Sequence, residues 1–269
     1  MNIDHDMHVH SPLSACYHDK EITIQEILEA YARLGVERIG FEDHLWDNAM
    51  PGASPWYKPQ DMEHIKQIRE MIPEDTLGIE IMFGCESEFW GKGKCGISKE
   101  AAEKLDFVLL PASHLHMKEY ILPNPDMTDE EIGSFMVKLF MEALDENIAT
   151  GIPHPFVPCT RPESVDRIVG SISDSSLKEC FSRAAQEHVS IEITTSSFPS
   201  IFNGEEKEGH HDATYIRVLS IAKECSCRFH CASDSHDLEK IAGFKKLETV
   251  LKKLNITDKD IHPFAKNMK

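Results

Sequence analysis

Fifteen histidines stand among the 269 residues, and seven of them fall, with several acidic residues, into a set of short groups. The groups are His8-Val9-His10, Asp43-His44, Glu86-Ser87-Glu88, His114-Leu115-His116, His154, Glu192 and Asp234-Ser235-His236. Imidazole suits zinc, iron and manganese, while carboxylates add charge and can bridge two ions. On an extended segment, residues two apart face the same side. His8 and His10 would therefore reach one ion, and Asp234 and His236 stand in the same relation. Several ions held close together would keep a bridging water as hydroxide at neutral pH and clamp phosphoryl oxygens. The chemistry suggested is hydrolysis of a phosphate ester.

These groups need elements to gather them. Apolar runs at 3–9, 36–41, 77–85, 107–110, 148–153, 189–193 and 228–232 predict strands. Helices are expected between them. Ile24, Ile27, Leu28, Tyr31 and Leu34 have helical spacing with Gly35 as a stop. Thr128-Asp129-Glu130-Glu131 reads as a capping box opening a helix to about Asn147. Further helices are expected at 61–72, 101–104, 177–188, 212–225 and, in two short pieces, 238–254. This β-α alternation argues for parallel strands with helical crossovers. The chemical groups sit at the C-terminal ends of nearly every expected strand. In a β/α barrel those ends converge on the face where such barrels do chemistry. A lone His at a strand end is usually structural; seven strand ends in agreement are not explained that way.

Composition narrows the partners. Hydrophobic residues make up 41% and charged residues 28%, an ordinary globular balance. No apolar run reaches the ~20 residues that span a bilayer, and 1–6 lacks the basic and apolar regions of a signal peptide. A cytoplasmic protein without membrane attachment is expected. The net charge of -18 disfavours nucleic acid but not a small phosphate ester, because bound cations invert the local field. Eight cysteines are too few for a disulfide scaffold, and Cys225, Cys227 and Cys231 read as thiols around a buried strand. The loop 48–59, flanked by Trp46 and containing Trp56, should lie over something; the two rings would wall a substrate pocket or be buried beneath the loop. His64, His188 and His230 are expected to be structural.

Six pieces together resemble the PHP (polymerase and histidinol phosphatase) superfamily: Asp6-Met7-His8-Val9-His10-Ser11, Glu42-Asp43-His44, Gly84-Cys85-Glu86, Ser113-His114, His154-Pro155 and Ser233-Asp234-Ser235-His236. They occur in the family's order over residues 6–236. The resemblance implies a single domain over 1–269, an α/β fold that is a distorted seven-stranded (βα)7 TIM-like barrel, and two or three divalent ions (zinc, manganese or iron) at its mouth. It implies that His8, His10, Glu86 and Asp234 hold one ion. Glu86 would bridge to a second ion held by His114 and His154, and His44 and His236 would belong to a third. Family members often carry another His six residues after the second His of the first motif. Here Cys16 holds that position with His18 nearby, and either would serve. His116 is an alternative to His114, and Asp43 would bind metal or orient its neighbour.

The expected activity is hydrolysis of a small phosphate monoester by a metal-bound hydroxide, with Asp234, His236 and Glu86 at the reacting centre. Size and layout resemble the stand-alone phosphatase branch, for which histidinol phosphate, and hence histidine biosynthesis, is one candidate. Arg161, seven residues after His154, is a candidate clamp for the substrate phosphate, since guanidinium matches phosphate bidentately. Two other readings stand beside this one: a phosphodiesterase or nuclease, which would need a groove lined by Lys and Arg, and a non-catalytic metal-binding regulatory module. The sequence leaves the oligomeric state open.

Overall fold

The fold was analysed from a computed structural model that describes residues 1–117, 124 and 126–266. The strands are β1 (His5–Val9), β2 (Arg38–Phe41), β3 (His44–Leu45), β4 (Glu80–Phe83), β5 (Glu86–Ser87), β6 (Phe89–Gly91), β7 (Lys94–Cys95), β8 (Gly151–Ile152), β9 (Ser190–Thr194) and β10 (Phe229–Ala232). The α-helices are α1 (Ile24–Leu34), α2 (Met62–Glu70), α3 (Lys99–Ala102), α4 (Asp129–Asp145), α5 (Val165–Ser171), α6 (Asp174–Gln186), α7 (Pro199–Phe202), α8 (Asp212–Glu224), α9 (Leu238–Gly243) and α10 (Leu247–Lys253). Among the described residues, no helix is long and apolar enough to cross a membrane.

Local chemistry sets the two best-defined helices. Thr23 and Glu26 form a capping box at the start of α1, and Gly35 ends it in the left-handed region at φ 67°. The face of Ile24, Ile27, Leu28 and Tyr31 is buried. Thr128 and Glu131 cap α4 in the same way.

The fold is mixed α/β, with ladders in sheets of two and three strands. β1-β2-β4 and β10-β9-β8 are parallel sheets, and β3 pairs parallel with β5. Only β6 and β7 pair antiparallel among the described ladders. Single parallel bridges join these pieces: Val9 to Ser235, Glu86 to Leu109, and Leu109 to Gly151. The expected strand at 107–110 is present only as the bridging residue Leu109. Its backbone is nonetheless bonded on both sides, through Leu109 N to Cys85 O at 3.0 Å and Leu110 N to Gly151 O at 3.1 Å. The ladders do not by themselves draw a closed barrel.

One cluster of buried apolar residues runs from Ile3 to Ala265. Several expected strands are shorter than their apolar runs, because core-filling residues continue past the last ladder bond; Ile79 and Cys85 are buried outside β4. The β6-β7 hairpin and α5 were not anticipated. α6 starts at Asp174, earlier than the expected 177, because Ser173 accepts from Ser176 N and caps it.

Candidate metal centre

The strand ends bring the imidazoles around one carboxylate. Glu86 opens β5 and is 1% exposed. Its Oε2 lies 3.2 Å from His44 Nδ1, 3.6 Å from His8 Nε2 and 3.8 Å from His10 Nε2. Its Oε1 lies 2.9 Å from His154 Nε2 and 3.1 Å from His114 Nε2. Asp234 Oδ1 stands 3.4 Å from His10 Nε2 and 3.5 Å from His8 Nε2. His236 packs its ring 4.3 Å from that of His10. All eight positions expected to hold metal are thus close neighbours.

Two of them sit on uncommon backbone. Asp234 has φ 52° and His154 φ 28°. Non-glycine residues in this region cost of order 1–3 kcal/mol and concentrate at functional sites. The strain is held in place by neighbours: Asp234 N donates to His8 O at 3.0 Å, and His154 N donates to Glu192 Oε1 at 2.9 Å.

A further layer of buried carboxylates and hydroxyls orients the imidazoles. Glu192 Oε2 lies 2.8 Å from His8 Nδ1, so one carboxylate fixes a ring and the backbone of a second His. Glu88 Oε1 lies 2.7 Å from His114 Nδ1 and also accepts from Tyr57 Oη. Ser113 Oγ lies 2.7 Å from His154 Nδ1. With the outer ring nitrogen engaged, Nε2 of each of these histidines points inward, the usual arrangement behind metal-binding imidazoles. From the sequence, Glu192 has no role and Glu88 reads as a support for Glu86 or a solvated residue, whereas Glu88 is buried against His114. The signal available was an acidic residue inside an apolar strand run for Glu192 and a place just past a strand run for Glu88.

The other candidates divide. Asp43 takes Ser11 N and Ser11 Oγ at 2.6 Å each and lies 2.6 Å from His64 Nε2. Its carboxylate is saturated by the loop after β1, which makes it an orienting residue rather than an open ligand, and gives His64 its structural place. Cys16 joins His10, His44 and His236 in a set whose donor atoms lie within 4.8 Å of one another. His18 is instead exposed and paired with Asp237 at 2.9 Å. His116 is exposed at the cavity rim, whereas His114 is buried and reaches Glu86. Arg161 donates to Met127 O at 2.8 Å and lies 3.4 Å from Asp129. It serves the start of α4 and does not line the cavity, so the expected phosphate clamp is not where this guanidinium lies. Trp56 does line the cavity, with its ring 5.1 Å from that of His44. Trp46 is buried beneath the loop against Tyr57 and Trp90.

The electrostatics follow from burial. Burial pushes the Glu86 carboxyl upward, but His114, His44 and His8 together hold it well below the usual carboxylate range. Asp234 is likewise held low despite burial, mainly by His8 and His10. Burial would lower His8, yet Glu42, Glu192, Asp234 and Glu86 raise it well above an ordinary imidazole. His44 and His10 are depressed by burial, to about 3 and about 4. Glu42, fully buried 3.5 Å from His8 Nδ1, is pushed well up by desolvation.

A metal is the group that these donors fit. His8 Nε2, His10 Nε2 and His44 Nδ1 are buried and have no hydrogen-bond partner. Buried polar atoms are nearly always satisfied; three aimed at one carboxylate call for a cation. Two further donor sets, His8-His10-Glu86 and His114-His154-Cys159, are compact enough to hold an ion. The cavity above them is about 300 Å³ and is lined by Cys16, His44, Trp56, Met117, Val157 and Ser196, among others. Among the described residues, no Lys or Arg lines it.

No family model matches the sequence. Over 251 residues the chain is 23% identical to a probable phosphatase of Aliivibrio fischeri (strain MJ11), spanning 93% of this chain and 85% of that one. Over 104 residues it is 33% identical to a probable phosphatase of Syntrophotalea carbinolica, spanning 39% of this chain and 38% of that one. A crystal structure of histidinol phosphate phosphatase from Lactococcus lactis subsp. lactis Il1403, complexed with zinc, L-histidinol and phosphate, superposes with a TM-score of 0.58 at 18% identity, over 94% of each chain. The chain therefore shares the fold of that phosphatase and is similar in sequence to proteins named as probable phosphatases.

Proposed function

We propose that this chain is a metal-dependent phosphatase acting on a small phosphate monoester, built as one domain on a distorted seven-stranded barrel. The observation that carries the reading is the Glu86 carboxylate, which faces His8, His10 and His44 through one oxygen and His114 and His154 through the other. The barrel is supported by the parallel bridges that link β1 to the segment after β10, and β5 through Leu109 to β8.

His8, His10, Glu86 and Asp234 would hold one divalent ion, and Glu86, His114 and His154 a second. His44 and His236, with Cys16, would serve a third. When bound, such ions neutralise phosphoryl oxygens and bring the pKa of coordinated water near neutrality. Glu192, Glu88 and Ser113 keep the imidazoles in the tautomer that presents Nε2 inward. Trp56 and Met117 present apolar surface to the leaving group. Among the described residues no Lys or Arg lines the cavity, so of the groups described the bound cations would carry anion recognition. The net charge of -18 weighs against a nucleic-acid partner. Histidinol phosphate is the first substrate to try, because the Lactococcus lactis enzyme of the same fold is seen with L-histidinol and phosphate.

The test is a panel of phosphate monoesters and diesters, histidinol phosphate included, assayed on protein of measured zinc, manganese and iron content. Monoester hydrolysis that disappears in Asp234→Asn, with the fold retained, is the expected result. Asn tolerates the positive φ at this position, so loss of fold is not expected. Full activity of Asp234→Asn at unchanged metal content, or activity on diesters alone, would overturn the assignment.

A further inference from the structure

We propose that the thiols of Cys16 and Cys159 are metal ligands at opposite sides of Glu86, and that they bias the centre toward thiophilic divalent ions, zinc over manganese or magnesium. The inference rests on the metal-phosphatase reading above.

Eight cysteines are present and all are free. Cys85, Cys95, Cys180, Cys227 and Cys231 are buried with the core. Cys225 closes α8 and lies 3.7 Å from Lys178 O. Cys16 and Cys159 differ from these six in lining the cavity of the candidate site. Each also belongs to a compact donor set, Cys16 with His10, His44 and His236, and Cys159 with His114 and His154. The two sets lie on different sides of one carboxylate, since His44 and His10 face Glu86 Oε2 while His114 and His154 face Oε1.

The Cys16 set contains independent signs of a missing ligand. His10 Nε2 and His44 Nδ1 are buried without hydrogen-bond partners. Cys16 Sγ is held 3.0 Å from Ser14 Oγ, and Ser14 Oγ lies 3.5 Å from His10 Nδ1, so one hydroxyl places both thiol and imidazole. With His10 given to the first ion, His44, His236 and Cys16 leave two imidazole nitrogens and a sulfur, a mixed donor set of the kind zinc accepts. The Cys159 thiol is presented by the turn after His154, and its backbone N donates to Ser113 O at 3.4 Å. Ser113 also holds His154 in place, so one residue positions both donors. Selectivity between divalent ions comes mainly from ligand type and geometry, and thiolate disfavours hard ions such as magnesium and manganese.

The experiment uses the full chain. Loaded with cobalt(II), the wild-type protein should show a near-ultraviolet thiolate-to-cobalt charge-transfer band. The band should weaken in Cys16→Ser and in Cys159→Ser and vanish in the double variant, while Cys225→Ser leaves it unchanged. Under equal zinc and manganese, the bound zinc-to-manganese ratio should fall by roughly tenfold or more in the double variant. Iodoacetamide labelling followed by mass spectrometry needs no variant: zinc should protect both thiols, and a chelator should expose them. Cobalt bound without a charge-transfer band, both thiols labelled as fast with zinc as without it, or a Cys16–Cys159 disulfide in the metal-loaded protein would overturn the proposal and leave the metal-phosphatase reading standing. Failure to retain any divalent ion would overturn both.

Discussion

Glu86 Oε1 lies 2.9 Å from His154 Nε2, although the two residues are 68 positions apart. The link is direct in the backbone, because Glu86 bridges to Leu109 and Leu109 to Gly151 at the start of β8, from which the chain runs on to His154. The other oxygen of the same carboxylate faces His44, His8 and His10. Changing Glu86→Gln keeps the shape but removes the charge from both donor sets at once. Metal content should therefore fall by more than one ion per chain, and phosphatase activity should be lost with it, while circular dichroism stays native. Loss of one ion alone, measured by elemental analysis, would mean that the carboxylate is not shared.

Much of this site was legible because its members follow strand ends in order. His8, His10, His44, His114, His154, Asp234 and His236 were all placed around Glu86 by an alternation of elements that the sequence displays. Other features carried no periodic signal. Cys159 sits in a turn five residues after His154, where spacing says nothing about direction. The destination of Arg161 depends on α4, whose start it meets through Met127 O and Asp129. The β6-β7 hairpin and α5 are short, and short elements are set by tertiary contact more than by pattern. The strand expected at 107–110 is buried, but it meets its neighbours through the single bridging residue Leu109 and not a ladder.

Glu192 provides a second prediction, since it holds the His8 ring at 2.8 Å and the His154 backbone at 2.9 Å. It is a positioning residue. Burial pushes its carboxyl up, but His8 and His230 outweigh this and bring it to about 2, so it is an anion throughout the neutral range. Glu192→Gln should weaken metal binding by about ten- to a hundredfold, the usual cost of losing such a partner. Activity at saturating metal should recover more than activity at limiting metal. A variant with wild-type metal affinity, measured by chelator competition, would refute the role.

The charge pattern fixes how stability should respond to pH without metal. His8 and His114 have folded values raised well above the ordinary imidazole, despite burial, by Glu42 and Glu192 in one case and Glu88 and Glu86 in the other. Their contribution is complete below the unfolded value of about 6.5 and is lost as pH rises through the folded values. Glu42, raised by burial, acts in the same direction or not at all over that window. Glu86, Glu192 and Asp234 are depressed, so their contribution is present above about pH 4 and is lost only in stronger acid. Chelator-treated protein should therefore melt at lower temperature as pH is raised above about 6.5. Zinc acts oppositely, because its ligands must be deprotonated and affinity grows with pH. The melting increment on adding zinc should widen with pH across that range. An increment that narrows instead would contradict the donor set.

The last prediction concerns the seat beneath the site. The Phe107 ring fills a slot beside Gly40 of β2 and Gly84 just past the end of β4. A Cβ built on Gly84 would stand 2.5 Å from Phe107 Cζ, and one on Gly40 would stand 2.6 Å from the same atom. Neither glycine has a positive φ, so the requirement is for space and not for backbone freedom. Phe107 opens the segment whose Leu109 N bonds Cys85 O beside Glu86, which ties this slot to the height at which the carboxylate stands. Gly84→Ala should destabilise by about 1–3 kcal/mol through overpacking. Trimming the ring relieves the clash, so Gly84→Ala should cost clearly less in a Phe107→Leu background, as coupling between contacting residues requires. Thermal denaturation of the four proteins measures this directly. Equal costs in the two backgrounds would show that the backbone moves away from the ring, and the glycines would then owe their place to something other than Phe107.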